Sequence, residues 1–200
     1  MERLIALFIK DDFIKHFFAA SHKSPRPSAP AWGRSCHELY GTGRFDELLP
    51  IVDACLPKDA QGNFIPKQER SDVVHDLLAF LAERMLERNM ERQKEIKGFL
   101  GWLEGEIGAK VEDFTPKIKL QSYYDHDWDE FYAVLKKNRK RLAINPSSGE
   151  KAELLKDEFT RSMAKLGPLR DEIERTDKLI DAVVYRLYGL TEEEIGIVAG

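Results

Sequence analysis

Apolar residues in this chain recur mostly at spacings of three and four, which predicts helices rather than strands. Leu4, Leu7, Phe8, Phe13, Ile14, Phe17 and Phe18 form one such face over residues 4–19. Pro25, Pro27 and Pro30 then forbid regular structure in a loop over residues 21–33. A short helix is predicted over residues 45–56, with Leu48, Leu49, Val52 and Cys55 on one side, and another loop over residues 57–66. The longest pattern begins near Gln68 or Ser71. It runs through Val74, Leu77, Leu78, Leu81 and Met85, then Ile96, Phe99, Leu100, Leu103 and Ile107. Ser71 is a candidate cap, and Asp72 suits the positive end of the helix dipole. The middle of this helix, residues 87–95, is mostly charged, as in a helix that packs by a thin seam. Gly98, Gly101 and Gly105 lower helix propensity and leave room for another backbone, while Gly108 is a stop.

Beyond it, residues 111–122 read as irregular around Pro116. A helix is predicted from Asp127 to Leu142, with Trp128, Phe131, Tyr132 and Leu135 inward, ended by the turn at residues 145–149. The next helix starts near Glu150 with Leu154, Leu155, Phe159, Met163 and Leu166, and Pro168 should kink or interrupt it. Its pattern resumes with Leu169, Ile173, Leu179, Ile180, Val183, Val184, Leu187 and Tyr188. Gly189 suits a left-handed helix end, and Thr191 with Glu194 forms a capping box for a final short helix. The expected fold is therefore all-α, a long antiparallel helical hairpin or coiled coil with additional short helices. Residues 1–65 form an amino-terminal segment of unknown role and residues 66–200 the hairpin domain.

Composition adds limits. With 42% hydrophobic and 33% charged residues, the chain has material for a core beneath a heavily charged surface. A net charge of −4 provides no global field for nucleic acid, so any DNA contact must be local. The one dense basic run is Lys136, Lys137, Arg139, Lys140 and Arg141, at the end of a predicted helix. It can neutralise phosphates, or simply complement the helix dipole. Asp125, His126 and Asp127 are adjacent and read better as a helix start capped by Asp127 than as metal ligands. His75 beside Asp76 points away from its neighbour on a helix and is no catalytic pair. Trp102, Tyr123, Tyr124, Trp128, Phe131 and Tyr132 can stack on bases but read first as packing. Cys36 and Cys55 fit reduced thiols in a cytoplasmic protein, and the apolar run near the amino terminus is too short for a signal peptide or a membrane span.

The tail carries a more specific signal. Thr176-Asp177, Ile180-Asp181, Val184-Tyr185, the run Leu-Tyr-Gly-Leu-Thr-Glu-Glu-Glu from Leu187 to Glu194, then Ile195 and Ile197-Val198 follow in order. This ending resembles the carboxyl terminus of fused type II (type IIG-like) restriction–modification DNA methylases. Ser71-Asp-Val-Val-His-Asp-Leu-Leu and Gln93-Lys-Glu-Ile-Lys-Gly-Phe-Leu resemble the helical region ahead of it, so the resemblance covers residues 66–200. It implies helices that support a target-recognition domain and pack on a methylase core. The methylase tetrapeptide Asn/Asp-Pro-Pro-Tyr/Phe is not matched by Asn145-Pro-Ser-Ser, and no cofactor loop or nuclease constellation is present. The expectation is a non-catalytic module without metal or cofactor, aiding DNA recognition or assembly in prokaryotic defence. Its partners are duplex DNA, a DNA methylase or restriction subunit (an amino-group methyltransferase and endonuclease), and a second copy through the coiled coil, with no membrane. Met1 and the proline loop fit a separately encoded chain better than an excised fragment. The alternative is a coiled-coil scaffold or dimerisation protein without DNA binding.

Overall fold

The computed structural model describes residues 31–65 and 68–199, with side chains from Cys36 to Val198. The helix expected over residues 4–19, and the proline loop as far as residue 30, lie outside the described residues. Seven α-helices lie among the described residues: α1 (Ala31–Gly41), α2 (Leu48–Cys55), α3 (Ser71–Ile107), α4 (Lys117–Gln121), α5 (Trp128–Lys137), α6 (Gly149–Tyr188) and α7 (Glu192–Ala199). Among the described residues there is no strand, only an isolated bridge between Lys58 and Phe64. The fold is all-α, and its two long helices pack against each other.

The chain divides into two compact units, Leu81–Lys178 and the remainder, and both long helices contribute to each. In the remainder, α1 begins at Ala31, within the stretch that the prolines and Gly33 mark as loop. It buries Cys36 and Tyr40, an i, i+4 pair too short to reveal a helix from sequence. Gly43, at φ 73°, ends it: Arg44 N–H bonds the Leu39 carbonyl at 2.9 Å and Gly43 N–H that of Tyr40 at 3.0 Å. The predicted helix at residues 45–56 appears as a 3-10 turn (Phe45–Glu47) leading into α2. Leu48, Val52, Val73, Val74, Leu77 and Val183 form much of the buried apolar set of this unit. Phe80 receives Tyr40 edge-on at 5.4 Å and His37 face-on at 3.9 Å. Ser71 is the first helical residue of α3 and not its cap.

The end of α6 follows its sequence signals closely. Gly189 has φ 66°; its N–H reaches the Arg186 carbonyl at 3.1 Å and Leu190 N–H reaches Tyr185 at 2.9 Å. Thr191 and Glu194 close the capping box in both directions, with Thr191 N–H to Glu194 Oε2 at 2.8 Å and Glu194 N–H to Thr191 Oγ1 at 3.3 Å.

In the Leu81–Lys178 unit the two long helices run antiparallel. Three cross-links set the direction: Glu106–Lys151 at 2.6 Å, Glu95–Lys165 at 3.0 Å and Arg88–Glu172 at 2.8 Å. Residue numbers fall along α3 as they rise along α6. The seam between them carries Ile96, Phe99, Leu103, Leu155, Phe159 and Leu166, and α5 adds Phe131, Val134 and Leu135 to the same core. Each fully buried side chain of this kind contributes roughly 2–3 kcal/mol. Tyr123 is fully buried at 4.2 Å from Phe99, and its hydroxyl shares a 2.6 Å hydrogen bond with Ser162.

Four further expectations need correction. Residues 111–122 are not irregular: a 3-10 turn (Val111–Asp113) and α4 bring Val111, Phe114 and Leu120 into the core. Pro168 does not interrupt α6, because it sits on the exposed side, where water can reach the carbonyl it leaves unpaired. No other part of the described chain approaches Gly98, Gly101 or Gly105, since a Cβ added at each meets nothing within 4 Å. The close approach occurs instead at Gly108, φ 64°, where an added Cβ would stand 2.6 Å from Ala143 Cβ. Finally α5 ends at Lys137 rather than Leu142, with consequences for the basic run.

Candidate nucleic-acid interface

The basic run grows out of α5. Asp127 starts this helix, its side chain accepting from Glu130 N–H at 2.9 Å, and Asp129 and Glu130 occupy the first turn. Phe131, Val134 and Leu135 bury one face, so the register of the whole helix is fixed by the core. Trp128 and Tyr132 stack at 5.0 Å and 14° along the flank, and Lys136 Nζ lies 4.5 Å from the Tyr132 ring centre. The Tyr132 hydroxyl donates to the Pro146 carbonyl at 2.9 Å.

Asn138 ends the helix and divides the run. Lys136 and Lys137 stand in the last turn of α5, whereas Arg139, Lys140 and Arg141 form a separate 3-10 turn. Asn138 is buried amid these exposed cations. Its Nδ2 donates to the carbonyls of Val134 at 2.9 Å and Thr115 at 3.1 Å, and its Oδ1 accepts from Thr115 N–H at 3.3 Å. One side chain thus fastens the basic turn to the segment before α4. Arg141 adds a second fastening, its Nη1 donating to the Asp113 carbonyl. Ala143 N–H then reaches the Ile107 carbonyl at 2.9 Å, against the end of α3.

All five cations are exposed, and none pairs with a carboxylate among the described residues. Several other lysines of this unit are paired. Lys110 pairs with Glu104, Lys117 with Glu112, Lys119 with Glu130, Lys151 with Glu106 and Lys165 with Glu95. Glu95, Glu104, Glu106, Glu112 and Glu130 are therefore engaged by other cations. The Lys119 ammonium and then His126 hold the Glu130 carboxyl below its usual range, and Lys110 with the Val111 N–H does the same for Glu104. The result is a local concentration of positive charge on a rigid turn, suited to a polyanion.

The other sequence candidates take structural places. Asp127 is a cap, His126 Nδ1 lies 3.0 Å from Glu130, and Asp125 lies 3.9 Å from Arg170. Among the described residues, no group of three or more His, Cys, Asp or Glu is placed to hold a metal ion. His75 and Asp76 are both exposed on α3. Of the aromatic set, Tyr123 and Phe131 are fully buried, and Trp102, Tyr124, Trp128 and Tyr132 pack half-buried around them. Burial pushes both the Cys36 and Cys55 thiols up, away from thiolate reactivity. No described helix is long and apolar enough to cross a membrane. Sequence reading missed Asn138, whose only signal was a lone amide inside a basic run.

No curated protein and no solved structure matches this chain. A family model described as a domain of unknown function (DUF8810) matches residues 71–184, from the start of α3 almost to the end of α6. That match spans more than half of the 200 residues, and the chain belongs to this family.

Proposed function

We propose that this chain is a non-catalytic helical module of a restriction–modification system that works in the cytoplasm, where it supports DNA recognition or assembly with a methylase. The observation that carries the reading is the set of five exposed cations at the end of α5, held by Asn138 and Arg141 and free of ion pairs with described residues. The resemblance of the tail supplies the system. On this reading Lys136, Lys137, Arg139, Lys140 and Arg141 contact duplex phosphates, which sets affinity and position rather than base sequence. Target choice then belongs to the partner.

The test is binding of labelled duplex DNA by the full chain and by a variant with all five residues changed to Ala. Each position is exposed and Asn138 is retained, so the variant should keep its helical signal and, with the Arg141 bond to the Asp113 carbonyl gone, lose no more than about 1 kcal/mol of stability. Tight low-salt binding by the wild type, lost in the variant, supports the reading. Equal binding by both proteins, or none by either, removes direct DNA contact from it.

A further inference from the structure

Helix α3 has a second seam, on the side turned away from its core. Glu83, Glu87, Met90, Lys94, Lys97 and Gly101 recur at alternating spacings of four and three, the heptad rhythm of a helix that pairs along one line. All six are exposed, on the opposite side from Leu81, Ile96, Phe99 and Leu103. Two apolar residues lie here without cover: Met90 is 72% exposed and Leu86, one turn earlier, 47%. Neither serves the core: Met90 sits between the acidic and basic halves of the seam, and Leu86 lies within the acidic half, beside Glu87.

Those halves are ordered. Before Met90 the seam is acidic, with Glu83 and Glu87, and after it basic, with Lys94 and Lys97. Glu83, Lys94 and Lys97 form no ion pair with a described residue, and Glu87 has only an exposed local partner, Arg84 at 2.6 Å. Such a local pair is weak and readily exchanged. A two-fold axis through Met90 sets the segment antiparallel against a copy of itself. Glu83, seven residues before the centre, then faces Lys97, seven after it; Glu87 faces the neighbourhood of Lys94. Met90 meets its own copy, and the aliphatic stem of Lys94 covers Leu86. Further out, Ala82 faces Gly98, where a side chain is absent and the space beside it is open. A parallel pairing would instead set acid on acid and base on base, which disfavours it.

We infer that this outward face of α3, centred on Met90, is an isologous self-association surface whose occupant is a second copy of the chain, antiparallel to the first. The charge order specifies both partner and direction, because one surface supplies both complementary halves. This inference is independent of the DNA reading, since it uses none of the residues 136–141.

Sedimentation velocity of the full chain over a concentration series tests it, with two variants. Lys94→Glu with Lys97→Glu makes the face wholly acidic, and Glu83→Lys with Glu87→Lys makes it wholly basic. The wild type is expected to dimerise, and each variant alone to lose self-association by on the order of tenfold or more. Mixing the two variants should restore a dimer. A wild type that stays monomeric up to millimolar concentration overturns the inference, as does self-association of either variant at wild-type strength. If either charge variant loses its helical circular dichroism, Met90→Lys decides instead: unchanged dimerisation overturns the inference, and weakened dimerisation upholds it.

Discussion

Replacing Asn138 by Ala should loosen the basic turn and weaken the fold by an amount the structure bounds. The side chain makes three hydrogen bonds, to Val134 O, Thr115 O and Thr115 N–H. At about 1 kcal/mol net per bond, the ceiling is ~3 kcal/mol. The Thr115 residue is exposed, so water can replace part of what its backbone groups lose, while the Val134 bond is buried. The expected loss is therefore about 1.5–2.5 kcal/mol. Asn138→Asp is a sharper probe. Its carboxylate still accepts from Thr115 N–H but cannot donate to either carbonyl, and it places a charge in a buried position. It should cost at least as much as Ala at neutral pH and recover on acidification, as the carboxyl becomes neutral and regains a donor. Urea unfolding followed by circular dichroism measures both. A loss below about 0.5 kcal/mol for Asn138→Ala, the scatter of an ordinary surface change, would refute the argument that this amide anchors the turn.

Other consequences are equally direct. Ala at Gly98, Gly101 or Gly105 meets open space, so each change should raise stability by about 0.5–1 kcal/mol in thermal or urea unfolding, and a loss would reveal a neighbour on that face. Gly108→Ala should destabilise by about 2–4 kcal/mol, from the positive φ of 64° together with the 2.6 Å approach to Ala143 Cβ. Burial pushes the Tyr123 phenol up to about 12 from its ordinary 10.0. The folded state thus binds this proton more tightly. That contribution is whole below pH 10 and disappears as pH rises toward 12, by at most about 2–3 kcal/mol. Tyr123→Phe should flatten this alkaline decline in urea midpoint against pH, and an unchanged slope would contradict it.

What could be read from the sequence was what is local. The α3 and α6 seams showed because their apolar residues repeat over many turns, and Gly108, Gly189 and the Thr191–Glu194 box showed because a cap is a short-range device. Helix α1 did not show, since Cys36 and Tyr40, the buried residues among those described there, are too few to make a period. Pro168 suggested an interruption that α6 does not show, because its cost depends on which side of the helix it occupies, and that is set by packing. The spacing of Gly98, Gly101 and Gly105 suggested a close neighbour, but the close neighbour belongs to Gly108, through a contact with a residue far along the chain. The candidate site divides the same way. Its five charges are visible as letters. Its geometry is not, because the Asn138 bonds to Thr115 span 23 residues, and because being unpaired is a property of the surrounding acids.

The most direct test of the central claim is the salt dependence of duplex DNA binding, measured on the wild type and on the variant lacking all five cations of residues 136–141. If those residues neutralise phosphates, the logarithmic slope of affinity against salt should be steep in the wild type and shallower in the variant by up to about 4.5. Identical slopes in the two proteins would contradict the claim that this turn touches DNA.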